Sequence, residues 1–356
     1  CHYVENDRGY EIVEGGLTDD DVRELAKKET TDRRSFAILT ISRFSGEGSD
    51  RSLDDGRRGI KLSKSEWDTY NSIKNRFDKV VVVLNVGSVM ELEDIPTDNN
   101  TSILIAFLPG MEAGNAIADV LVGDANPSGH LSDTWAKTIN DYSTTTTFLE
   151  NPAYVKYKEG LFMGYRYFED DAEKQAKVVF PFGHGLSYTT FEISGCQFSL
   201  QEDIYTVTCN VKNTGNRAGK QVVQIYVEKP QNEDFIKVKR ELIAFAKTEE
   251  INPGESETVT ITFDIKSAAS YDDSGVTGNR ACYVLEEGNY NFYVGASVAD
   301  TRGEATYTHN QASLRVTEKL TTRIPAKDPD VADANHYPNF TEFMNKENKQ
   351  LCKKQK

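Results

Sequence analysis

A chain of 356 residues with 38% hydrophobic content is long enough for two or three domains, each burying its own core. A formal charge of -15 repels polyanions, which argues against nucleic acid and anionic membrane surfaces as partners and favours a neutral ligand. No apolar run approaches the roughly 20 residues that cross a bilayer, and five widely spaced cysteines with no Cys-x-x-Cys pair and no clustered histidines argue against structural zinc.

The first residues read as irregular. Leu17-Thr18-Asp19-Asp20-Asp21-Val22 then has the form of a helix start, with Thr18 as N-cap, Asp21 in the capping-box position and Leu17 able to staple onto Val22; the helix is expected to reach about Lys28. A strand follows at Ser35 to Ser42, rich in β-branched residues. Leu62-Ser63-Lys64-Ser65-Glu66-Trp67 repeats the start signal, and Trp67, Tyr70, Ile73 and Phe77 recur at helical spacing as a stripe that packs on a sheet. Lys79 to Val86 and Thr101 to Leu108 are further strand-like runs, closed by Gly87-Ser88 and Pro109-Gly110. Ala113 to Val122 reads as a helix stopped by Gly123. Alternating strands and helices of this size imply a mainly parallel, doubly wound α/β sandwich, with the glycine-bearing loops gathered on its carboxyl edge.

One of those loops, Ser45-Gly46-Glu47-Gly48-Ser49-Asp50-Arg51, presents a glycine-flanked carboxylate where open α/β sheets bind ligands. The same form also suits a solvated bend. Asp50 and Arg51 read first as a pair or a brace of the loop, and second as substrate contacts; Phe44 and Ser45 complete the loop candidates.

Beyond Gly129 the pattern weakens. Two glycine- and aromatic-rich segments, Tyr157 to Phe168 and Phe180 to Tyr188, suit an irregular closing region, with His184 as a structural turn residue. Past Tyr188, Ile204 to Val211, Gln221 to Val227, Thr258 to Phe263 and Tyr290 to Val294 alternate apolar with polar residues and are separated by turn signals, which indicates an antiparallel β-sandwich. Gln231 to Val238 and Ala268 to Arg280 read as surface loops. Cys196 and Cys209 lie in strand-like segments; two small buried thiols are expected, with a bridge as the alternative. The organisation expected is thus residues 1–187 for the α/β domain, 188–317 for the β-sandwich and 318–356 for a polar tail or linker.

The motifs together resemble the C-terminal part of glycoside hydrolase family 3 enzymes, the β-glucosidases and β-xylosidases. The resemblance rests on Ser45-Gly46-Glu47-Gly48 with Asp50-Arg51, Leu108-Pro109-Gly110-Met111-Glu112-Ala113-Gly114, Gly123-Asp124-Ala125-Asn126-Pro127-Ser128-Gly129, and Phe180-Pro181-Phe182-Gly183-His184-Gly185-Leu186-Ser187-Tyr188. Val211-Lys212-Asn213-Thr214-Gly215 with Pro253-Gly254-Glu255-Ser256 resembles the family's fibronectin type III-like domain. The resemblance implies that Glu47 is the general acid/base of a retaining glycosidase acting on a β-linked oligosaccharide or aryl glycoside, with no cofactor and no metal. It also implies a nucleophilic aspartate on a (β/α)8 barrel, and this chain holds no repeated strand and helix units for one. The barrel either precedes residue 1, in the family's usual order, or follows residue 356, with a slight preference for the second; the chain alone is expected to be inactive. A non-catalytic carbohydrate-binding or scaffolding module is the competing reading. A serine hydrolase lacks its Gly-x-Ser-x-Gly elbow here, and a dinucleotide-binding domain lacks Gly-x-Gly-x-x-Gly after the first strand. The sugar, the compartment and the oligomeric state are left open.

Overall fold

The computed structural model describes residues 2–6, 9–13, 17–26, 36–43, 45–46, 51–53, 59–92, 95, 98–145 and 159–320. The chain divides into two compact units, Cys1–Ala125 with Trp135–Ile139 and Asn126–Thr134 with Asn140–Lys356.

In the first unit the opening residues, expected to be irregular, form an antiparallel hairpin of β1 (His2–Asn6) and β2 (Gly9–Val13). Helix α1 (Asp19–Ala26) starts at the anticipated box: the Thr18 amide donates to Asp21 at 2.9 Å and the Asp21 amide to the Thr18 hydroxyl at 3.2 Å. Strands β3 (Phe36–Ser42), β4 (Lys79–Asn85) and β5 (Thr101–Ile105) make a parallel sheet in the order β3-β4-β5, with Ser42 level with Asn85 and Leu84 level with Ile105. Strand β5 is shorter than its apolar run, because after Ala106 donates to the Leu84 carbonyl the chain turns through Phe107, held at φ 52°.

Helix α2 (Lys64–Lys74) carries the second capping box, between Ser63 and Glu66. Its stripe packs as read: Tyr70 and Ile73 are buried, Trp67 meets Tyr70 edge-on at 5.6 Å, and the Tyr70 hydroxyl reaches Thr101 at 3.1 Å. Helix α3 (Ala113–Val122) ends on left-handed Gly123, yet none of its residues is buried. Phe36 and Ile38 of β3 are also largely exposed, so apolar faces of both elements stand open. The two-residue strand β6 (Trp135–Ala136) completes the unit.

The second unit opens with the short helices α4 (Tyr165–Phe168) and α5 (Ala172–Gln175) and strand β7 (Val178–Phe180). Ten strands follow: β8 (Phe191–Gln201), β9 (Ile204–Asn213), β10 (Val222–Glu228), β11 (Glu241–Lys247), β12 (Ser256–Asp264), β13 (Ser270–Asp272), β14 (Cys282–Leu285), β15 (Gly288–Gly295), β16 (Tyr307–Gln311) and β17 (Arg315–Lys319). They form antiparallel sheets in the orders β12-β9-β8, β11-β10-β15-β16 and β13-β14-β17. Inward residues of the β12-β9-β8 and β11-β10-β15-β16 sheets share one core around Tyr205, Val207, Ile225, Ile261, Phe263 and Phe292.

Two expectations are corrected here. Within Ala268 to Arg280, β13 pairs with β14, and Asp272 is fully buried, accepting from the amides of Gly275 at 2.6 Å and Thr277 at 2.8 Å. Polarity misled there, because a charged group that finds its partner can be buried. Gln231 to Val238 is the expected surface loop, exposed at Gln231, Asn232, Glu233, Asp234 and Ile236, and it turns inward only at its end, where Lys237 and Val238 are buried, Lys237 against the Glu286 carboxylate. Cys196 and Cys209 are joined as a disulfide, not two thiols. The ladder between β8 and β9 slips between Ser194 and Gln197, where Gly195 adopts φ 60°, and that bulge brings Cys196 beside Cys209.

Candidate functional site

Parallel pairing puts the carboxyl ends of β3, β4 and β5 on one edge, from which the Glu47 loop leaves. Glu47, Phe44 and Asp50 lie outside the described residues; Ser45 and Gly46 are exposed, and Arg51 is half-buried.

The base of the loop is defined by Arg43, whose side chain is 2% exposed. Its Nε donates to the Gly59 carbonyl at 2.8 Å, Nη1 to the Ser42 carbonyl at 2.9 Å and Glu66 Oε1 at 2.6 Å, and Nη2 to the Lys61 carbonyl at 2.9 Å and Glu66 Oε2 at 2.7 Å. Glu66 also accepts the Ser63 amide at 2.7 Å, so one carboxylate caps α2 and receives the guanidinium fork. Arg51 donates to the same Gly59 carbonyl at 2.5 Å and to the Ser88 hydroxyl, in the loop after β4, at 2.8 Å. The Ile60 amide bonds the Ser52 carbonyl and the Glu91 amide bonds the Ile60 carbonyl, which stitches the end of the loop to the chain beyond β4.

Burial alone would raise the Glu66 carboxyl, but the Arg43 hydrogen bonds, the Ser63 amide and the Arg43 charge outweigh it and hold Glu66 below the usual glutamate range. Burial, and then the Arg43 charge, lower the Arg51 guanidinium from its ordinary value. A depressed carboxylate stabilises the fold at pH values above its unfolded pKa, and that contribution is lost as pH falls through the folded value. The α/β unit is therefore expected to lose stability as pH drops below about 4, whereas Glu66→Gln flattens that slope; the check is the unfolding midpoint of the unit against pH for both proteins.

The glycine- and asparagine-bearing motifs of the second unit build a hydrogen-bonded knot. The amide side chain of Asn126 donates to the Ala218 carbonyl at 2.7 Å and accepts from the Ser187 hydroxyl and the Tyr188 amide, each at 2.9 Å. Fully buried Asn213 accepts from the Thr189 hydroxyl at 2.7 Å and the Gly215 amide at 3.1 Å, and donates to the carbonyls of Arg217 at 2.6 Å and Ile251 at 2.8 Å. A Cβ at Gly185 would lie 2.3 Å from the Gly129 carbonyl oxygen. His184 stacks on Phe180 at 5.1 Å, and its carbonyl accepts the Leu131 amide at 2.8 Å. Burial, followed by the neighbouring His130, lowers its pKa. Among the described residues no group of three or more His, Cys, Asp or Glu is placed to hold a metal ion.

Sequence reasoning missed Arg43, Ser88 and the second role of Glu66. Arg43 stands one residue past the end of β3, at the point where a loop must be anchored; that position is the only signal the sequence carried.

Comparison with known proteins places these features. The glycosyl hydrolase family 3 C-terminal domain matches residues 20–188, and a fibronectin type III-like domain matches residues 221–298. Beta-glucosidase A of Butyrivibrio fibrisolvens is 36% identical over 88% of this chain and 41% of its own length; a beta-glucosidase of Ruminococcus albus is 38% identical over 82% and 30%. Among solved structures, a beta-glucosidase from Paenibacillus barengoltzii superposes with a TM-score of 0.77 at 37% identity, covering 87% of this chain and 34% of that one. Beta-glucosidase 3B from Thermotoga neapolitana, in complex with α-D-glucose, gives 0.77 at 34% identity, covering 88% and 42%. The chain spans less than half the length of each of these relatives. It belongs to glycosyl hydrolase family 3, of which it carries the C-terminal α/β domain and the fibronectin type III-like domain.

Proposed function

We propose that this chain is the acid/base-bearing portion of a retaining β-glycosidase, most simply a β-glucosidase, with Glu47 giving a proton to the departing glycosidic oxygen and then activating water against a glycosyl-enzyme intermediate. The observation that carries the reading is the loop of Ser45 and Arg51, anchored at the carboxyl edge of the parallel sheet in a chain similar to β-glucosidases along most of its length. A free glutamate near pKa ~4.3 is too acidic to donate near neutral pH. Glu47 needs a neighbour that raises it, and a nucleophilic carboxylate about 5 to 5.5 Å away in a retaining site does so. In this reading that carboxylate comes from a (β/α)8 barrel in the rest of the polypeptide, and the open apolar faces of α3 and β3 are surface for the missing part to cover.

Two measurements test it. The chain alone is expected to fold and to leave an aryl β-glucoside unhydrolysed; turnover by this polypeptide by itself refutes the shared-site reading. Joining it to a family 3 barrel is expected to restore turnover. Correct assembly without turnover would favour a non-catalytic carbohydrate-binding or scaffolding module.

A further inference from the structure

We propose that Arg43 is a positioning residue for the acid/base loop: its fork, seated on Glu66, fixes both feet of the segment 44–58. This deepens the reading of Glu47 as acid/base and rests on it. All five guanidinium N–H groups are engaged, on the carbonyls of Ser42, Gly59 and Lys61 and on both oxygens of Glu66. A pair that only docked α2 onto the sheet would end at Glu66. Here three of the bonds go to backbone carbonyls on the two sides of the loop, one before it and two after it. Arg51, within the segment, shares the Gly59 carbonyl, so two cations converge on the foot of the loop despite their mutual repulsion. The carboxylate that balances them sits in the first turn of α2, where a negative charge is also favoured by the helix dipole. A lysine offers a point charge and three donors without a fixed plane, so it cannot reproduce this fork.

The test uses the full chain. Arg43→Lys is expected to speed hydrogen exchange of the Ile60 and Glu91 amides, which bond the Ser52 and Ile60 carbonyls, by roughly tenfold, as local opening at the foot of the loop would. Protection in the β-sandwich should stay unchanged. Glu66→Gln, which keeps the side-chain shape, should give the same pattern. Unchanged exchange of these amides in both variants would overturn the proposal, and so would simultaneous opening of the whole α/β unit. In the barrel-joined enzyme, Arg43→Lys should lower kcat with little change in KM, and should add little on top of Glu47→Gln. Loop opening together with full additivity of the two substitutions would leave the anchor in place and refute its link to Glu47. An inactive parent enzyme with the expected loop opening would instead count against the acid/base reading itself.

Discussion

Glu47→Gln in the barrel-joined protein is expected to lower kcat on an alkyl or oligosaccharide β-glucoside by about 10²- to 10⁴-fold while leaving the thermal midpoint where it was. Glutamine has almost the same shape and neither gives nor takes the proton, so the loss isolates proton transfer from binding. Leaving-group dependence makes the test sharper. With an acidic phenol as leaving group the departing oxygen needs no proton, so the first step is spared and only the attack of water suffers. The glycosyl-enzyme then accumulates, and kcat and KM should fall together. Equal losses for good and poor leaving groups, or a large drop in stability, would make Glu47 a structural residue.

Asn213→Ala should produce the largest loss of stability predicted for the second unit, about 3 to 5 kcal/mol. The side chain is fully buried and makes four hydrogen bonds, two as acceptor and two as donor. Removing it leaves the buried Thr189 hydroxyl without its acceptor, takes one of two donors from the Ile251 carbonyl, which keeps the Gly219 amide at 3.1 Å, and breaks the ties to Gly215 and Arg217 that hold the turn. Asn213→Asp is a useful companion, because it keeps the two acceptor bonds and sets a carboxylate against two carbonyls. Chemical denaturation followed by the tyrosine signal of the sandwich measures both variants. A loss below about 1 kcal/mol for the alanine variant would mean that water or backbone relaxation replaces the network.

Asn213 and Arg43 mark two kinds of legibility. The turn Asn213-Thr214-Gly215 was readable as punctuation between strands, yet its sequence says nothing of Thr189 or Ile251, which close the network from 24 and 38 residues away. Both capping boxes were readable because each is written in four consecutive residues and needs no partner from elsewhere. Glu66 therefore showed its local role and hid its distant one, the fork of Arg43 twenty-three residues earlier. The hairpin of β1 and β2, the strand β13 and the disulfide were misread for a related reason. Short polar strands and small cysteines take their place from a neighbour, and the neighbour is decided by the fold.

The periodicities are written in the chain alone: apolar strands alternating with helices, then alternating strands, with a glycine-flanked glutamate at the end of the first long apolar run. These follow from nearest-neighbour sterics and from the spacing of apolar side chains, which act within a few residues. Which groups meet across long gaps is set by the folded chain: Arg43 with Gly59, Lys61 and Glu66, Arg51 with Ser88, and Asn126 with Ala218. Where such a polar group is buried it must be satisfied, and the partner that satisfies it is fixed by packing in three dimensions.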